Sequence, residues 1–220
     1  MAEPTPAAEA VPPSGVSPAS LPLAATTGLV GAYRWIEAAL HATLGSWVRD
    51  AALPAVQVHL DAQSMRHAWH AELWAERLPV LRDADPDAVT VATPAAAALF
   101  AVLDGGTGPG EEPPAPGPPG TLPLLAGLYR VVLPRLIASY GRHLEVTGPA
   151  ADGPVRRALR LVLADEVEDV LAGERLVERL IARPHDVAAV HEFTQRLESA
   201  VVAAGGGPGL VPLPVPVPGE

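Results

Sequence analysis

The chain has no cysteine, which excludes disulfides, thiolate metal sites and cysteine nucleophiles. It has no lysine either, so all 15 basic residues are arginine, and Schiff-base chemistry and the phosphate-binding lysine of a nucleotide loop are excluded as well. With 25 acidic residues the formal net charge is -10. That balance argues against nucleic acid or an anionic membrane as a principal partner, because both select clustered basic side chains. No apolar run reaches the roughly 18 residues that span a bilayer, and Met1-Ala2-Glu3-Pro4 carries no positive leader. The expectation is a soluble cytoplasmic protein. Strict alternation of apolar and polar residues is also missing, so nothing compels a β-strand and the chain reads as all-α.

Proline and glycine are abundant, at 26 and 20 residues, and fall mainly in three places. Residues 1–24 and 204–220 have no apolar period and are expected to be disordered tails. Residues 104–121 read as a flexible crossover, leaving a helical domain over 25–203. Five long helices are expected there. The first is capped by Thr26 or Thr27 and runs to about Ala52; the second starts at Pro54 and reaches about Leu81. A short apolar helix from Thr93-Pro94 to Leu103 precedes the crossover. The third long helix spans about Leu122 to Val146, the fourth runs from a cap at Asp152 to Ile181, and the fifth from about Asp186 to Ala203, with Val187, Val190, Phe193 or Thr194, Leu197 and Val201 inward.

Polar residues stand where apolar ones should. On the fourth helix Val155, Val162, Glu166, Asp169, Gly173, Leu176 and Leu180 share a face, which places two carboxylates in the core stripe. The second helix has His67 at the centre of the stripe Val56, Leu60, Ser64, His67, Ala71, Trp74 and Leu78, and the first has Glu37 and His41 among Val30, Tyr33, Leu44 and Val48. His70 and Glu72 lie about 60° or more off the stripe and read as rim. A buried carboxylate needs a compensating partner, either a cation, a protonated histidine or a metal. The two halves are also related: at an offset of 102 positions Trp74-Ala75-Glu76-Arg77-Leu78 lies over Leu176-Val177-Glu178-Arg179-Leu180, and Gly31-Ala32-Tyr33-Arg34 is echoed by Gly127-Leu128-Tyr129-Arg130.

Two antiparallel helix pairs, a long crossover between helices 2 and 3 and an extra C-terminal helix, together with His67-Ala68-Trp69-His70-Ala71-Glu72 and Asp165-Glu166-Val167-Glu168-Asp169, resemble the ferritin-like superfamily of carboxylate-bridged di-iron and di-manganese bundles. That resemblance implies a Glu on the first helix of each pair and a Glu-x-x-His on the second. Glu37, His67 and Glu166 match; Ser64 replaces a bridging Glu, Asp169 a His and Leu133 a Glu. It therefore implies an eroded di-metal site at Glu37, His67, Glu166 and Asp169, in a non-catalytic binding or structural protein. The alternative is a di-iron or single-metal oxidase or oxygenase. Two metals would be underligated. A single Fe, Mn or Zn remains open beside a metal-free network in which protonated His67, helped by His41 or an Arg, neutralises the acids. Trp35, Trp47, Trp69 and Trp74 all lie in the first hairpin, which is expected to offer a surface for a homodimer or another protein.

Overall fold

In a computed structural model of the chain, residues 21–80, 85–106 and 120–213 are described. They form helices and no strand among the described residues. Two proline-led hairpins build the frame. Helix α1 (Leu23–Asp50) turns through three residues into α2 (Pro54–Ala75), a join so short that the two must lie antiparallel, and they pack along most of their length. A 3-10 turn at Pro86–Val89 and helix α3 (Pro94–Leu103) follow. Helices α4 (Thr121–Val146) and α5 (Gly153–Leu180) make the second hairpin, and α6 (Pro184–Ala203) packs on α3 and the first half of α4.

Local chemistry explains most of these boundaries, and it corrects several expectations. Pro54, Pro94 and Pro184 open their helices, where a missing N–H costs nothing. Thr93 caps α3 by accepting from the Ala96 amide, and Gly105, at a φ of 85°, ends it. Helix α1, however, starts at Leu23 behind Pro22; Thr26 is buried inside it and the Thr27 hydroxyl donates back to the Leu23 carbonyl, so neither caps. Helix α2 stops at Ala75 rather than near Leu81. Asp152 precedes α5, but its carboxylate accepts from the Gly148 amide and ties the α4–α5 turn instead. Val187 is more than half exposed, whereas Val190, Phe193, Leu197 and Val201 are buried as expected.

Helix α4 contains a π turn over Leu128–Val132. Pro134 supplies the reason, since it has no N–H for the carbonyl one turn back and its ring crowds that carbonyl. Gly127 and Gly173 mark close approaches. A Cβ at Gly127 would stand 2.5 Å from Leu197 of α6, and one at Gly173 would stand 2.2 Å from the Tyr129 ring. Helix α4 is also long and apolar enough to pass a composition test for crossing a bilayer, contrary to the sequence expectation, but half of that stretch is buried here as core.

Residues 204–213 depart from the expected free tail. Leu210 and Val211 are buried, the Thr93 hydroxyl donates to the Leu210 carbonyl, and the Val211 amide donates to the Ser139 hydroxyl. The expected disordered segment 1–24 lies mostly outside the described residues, as do 107–119 of the crossover and 214–220 of the tail.

Candidate metal centre

Three helices bring polar side chains to mid-bundle. Glu37 is carried inward on α1 between Tyr33, Ile36 and Leu40, all fully buried. On α2, His67 and His70 are three residues apart, which sets both rings on one side of the helix with centroids 6.0 Å apart and edge to face. Helix α5 supplies Glu166 from a stripe that includes Val162 and Gly173. All four side chains have no exposed surface. The His67 Nδ1–H donates to Glu37 Oε2 at 2.6 Å, and Glu166 Oε1 lies 3.5 Å from the same nitrogen. His70 Nδ1 is 3.3 Å from Glu166 Oε1 and 3.5 Å from Glu37 Oε1, near enough for Coulomb attraction but out of line for a hydrogen bond.

The unsatisfied atoms are informative. His67 Nε2, His70 Nδ1 and both Glu166 oxygens are buried with no hydrogen-bond partner. Buried polar atoms are normally paired, because an unpaired one costs its full desolvation. Here four orphans fall in one cluster whose ligand atoms, one from each of Glu37, His67, His70 and Glu166, all lie within 4.8 Å of one another. Two imidazoles and two carboxylates are the donor types that hold Fe, Mn or Zn, and their two negative charges match one divalent cation. This buried group could therefore bind a metal ion.

Without an ion, protons can do the compensating. Burial pushes the Glu37 carboxyl up, yet the imidazoles of His67 and His70 hold it down at about 2. For His70 burial opposes the charged form, but Glu166 and Glu37 outweigh it and raise the ring to about 11. His67 is raised for the same reason, and Glu166 is raised chiefly by its own burial.

Neighbours fix the orientation of these groups. The Tyr140 hydroxyl donates to Glu37 Oε1, and Tyr140 stacks on Trp74 with Tyr33 against both. The His70 Nε2–H donates to Asp165 Oδ2 at 3.2 Å, which turns Nδ1 toward the acids; carboxylates behind histidine ligands play this part in metal sites generally. Beside the cluster, Arg66 of α2 pairs with Asp169 of α5, and His59 Nε2 accepts the Tyr129 hydroxyl at 2.6 Å.

Of the residues expected at the site, Glu37, His67 and Glu166 do converge. Asp169 is buried as its stripe position implies, but its partner is Arg66 and it stands outside the four-residue cluster. His70, expected at the rim, is fully buried and belongs to the cluster. The i, i+3 spacing His67-x-x-His70 was the available signal, since 60° from the stripe centre is still inside a face flanked by a second helix. His41 is exposed, and its Nδ1 meets the Ser64 hydroxyl rather than the acids. Ser64 and Leu133, in place of expected carboxylates, are buried. Trp74 is core as expected, Trp35 packs edge-on to Phe100, Trp47 is buried, and Trp69 alone of the four is broadly exposed. Comparison with family models, curated proteins and solved structures finds no match to this chain.

Proposed function

We propose that this chain is a ferritin-like helical bundle whose di-metal site has contracted to a single divalent-cation centre at Glu37, His67, His70 and Glu166, and that it acts as a metal-binding, structural protein. The observation that carries the reading is the coincidence of four fully buried donors with unpartnered ring nitrogens and carboxylate oxygens at one point. A bound ion would satisfy those atoms and supply the positive charge that protonated imidazoles supply in its absence. Ligand chemistry favours Fe, Mn or Zn. Arg66 already neutralises Asp169, so the remaining charge calls for one ion and not two.

A resident structural ion is preferred to a turnover site because the ligands have no surface, and cavities near Trp47, near Ser139 and near Glu76 are all lined by other side chains. One feature keeps the oxidoreductase reading alive: the Tyr140 hydroxyl, hydrogen-bonded to ligand Glu37, would put an oxidisable phenol beside a redox-active ion. A homodimer through the first hairpin would use exposed Trp69 and Met65 of α2.

The deciding measurement is metal content of protein purified without chelator or affinity metal. About one Fe, Mn or Zn per chain is expected, with a melting temperature that rises with added ion as mass action requires. Protein without metal, whose melting does not respond to Fe, Mn or Zn, would leave only the proton-compensated network. Dioxygen consumption by the ferrous form would instead promote the oxidoreductase.

A further inference from the structure

The four donors are sealed from solvent, so an ion needs a way in. Helices α2 and α5 form a sparsely packed wall: the α1–α2 and α4–α5 pairs are extensive, whereas α2 and α5 touch at few places. Two polar rungs cross this seam, His70 to Asp165 and Arg66 to Asp169, and their numbering runs in opposite directions, as antiparallel helices require. In each rung one member is buried and the other reaches water, with Asp165 and Arg66 both 33% exposed. Asp165 is bonded directly to a donor and is next in sequence to another, Glu166. Asp169 keeps one buried oxygen, Oδ2, without a partner. Trp69 lies over the outer edge, its ring 5.3 Å from that of His70.

We propose that the α2–α5 seam is the ion's access route, with Asp165 as the outer carboxylate that first takes the cation and the Arg66–Asp169 pair as the gate beside it. This rests on the reading of the four-residue cluster as a metal centre. A guanidinium in the seam repels an approaching cation. Swung out on its long stem, it uncovers the Asp169 carboxylate and reverses the local charge. Asp165 then exchanges its hydrogen bond from His70 for the cation and passes it inward to Glu166. As the cation takes their ring nitrogens, the compensating protons carried by His67 and His70 leave to solvent, and no other covalent bond is made or broken.

A gate changes rates without changing the destination, and that separates it from a structural role. Stopped-flow uptake and chelator-driven release of Co2+, followed by its visible absorption, would be compared for wild type, Asp165→Asn and the double variant Arg66→Gln/Asp169→Asn. The double variant removes both charges together, so no buried ion is stranded, and the asparagine at 165 can still accept from His70. Asp165→Asn, which also loosens the orientation of ligand His70 and so weakens Kd, is read on uptake alone and should slow it by about tenfold, whereas the double variant should speed uptake and release alike by about tenfold with Kd within about threefold of wild type. Stoichiometric Co2+ binding with both variants within about twofold of wild-type rates overturns the gate and leaves the centre standing. A Kd of the double variant shifted through release alone would also overturn it, by making Arg66 and Asp169 part of the site. Wild-type protein that takes up no Co2+ removes the centre and the gate with it.

Discussion

His143 shows how far single residues decide this protein's response to pH. Its ring is fully buried, neither nitrogen has a partner, and it lies 5.7 Å from the Tyr33 ring. Burial lowers it to about 4, with Asp152 pulling weakly the other way. A histidine lowered in the fold is charged first in the unfolded chain, so stability is lost as pH falls from about 6.5 towards 4. The shift corresponds to on the order of 3 kcal/mol when complete. Glu37 works differently: held at about 2, it keeps its contribution until much stronger acid. Denaturant titrations at pH 7 and pH 4.5 should therefore show a loss in the wild type that His143→Leu largely removes; an equal loss in both proteins would assign the acid response elsewhere. Residue-level legibility followed what a helical wheel can hold. Burial of Glu37, His67, Glu166 and Asp169 was readable from their stripes. The identity of the partner across the groove was not, which is why Asp169 was grouped with a histidine when an arginine on the next helix takes it, and why His70 looked peripheral until α5 closed over that side of α2.

At the scale of elements, the pairing of Tyr129 with Gly173 joins the two members of the second hairpin. The π turn that Pro134 induces carries Tyr129, and the missing side chain at Gly173 leaves space for its ring against α5. Its hydroxyl then reaches His59 on α2, so a single aromatic residue spans three helices. Gly173→Val should cost roughly 1–3 kcal/mol by overpacking, with Tyr129 displaced and its bond to His59 broken. Chemical denaturation gives the first quantity, and an unaltered His59 imidazole resonance would contradict the second. Prolines and glycines made the helix starts and stops largely legible, because their backbone limits act locally. The π turn was not, since periodicity assumes a constant 3.6 residues per turn. Leu210 and Val211 were missed for another reason: a segment with no period of its own can still be held by a groove formed elsewhere.

For the whole molecule, the all-helical class followed from the absence of alternation, and the two hairpins from their tight turns and shared phrases. Which hairpin faces which could not be read from a single chain, because that depends on complementary surfaces far apart in sequence. The spacing of the four donors has its own consequence. Glu37, His67 and His70 belong to the first hairpin and meet as soon as it forms, whereas Glu166 arrives from the second, about a hundred residues later. An ion held by all four would be a cross-link in a chain that has no cysteine to make one. Closing so long a loop is among the slower events available to a helical protein, and a link across it restrains the opened chain more than a short one would. A bound ion should consequently act on the opening path: unfolding measured by stopped flow should slow in proportion to occupancy while refolding changes little, because the last donor docks after the rate-limiting step. A refolding rate that rises with metal would place the joining of the hairpins earlier. The eventual durability of the bundle would then be a matter of how long it resists separation, set by one buried knot between two halves that each retain their own helices.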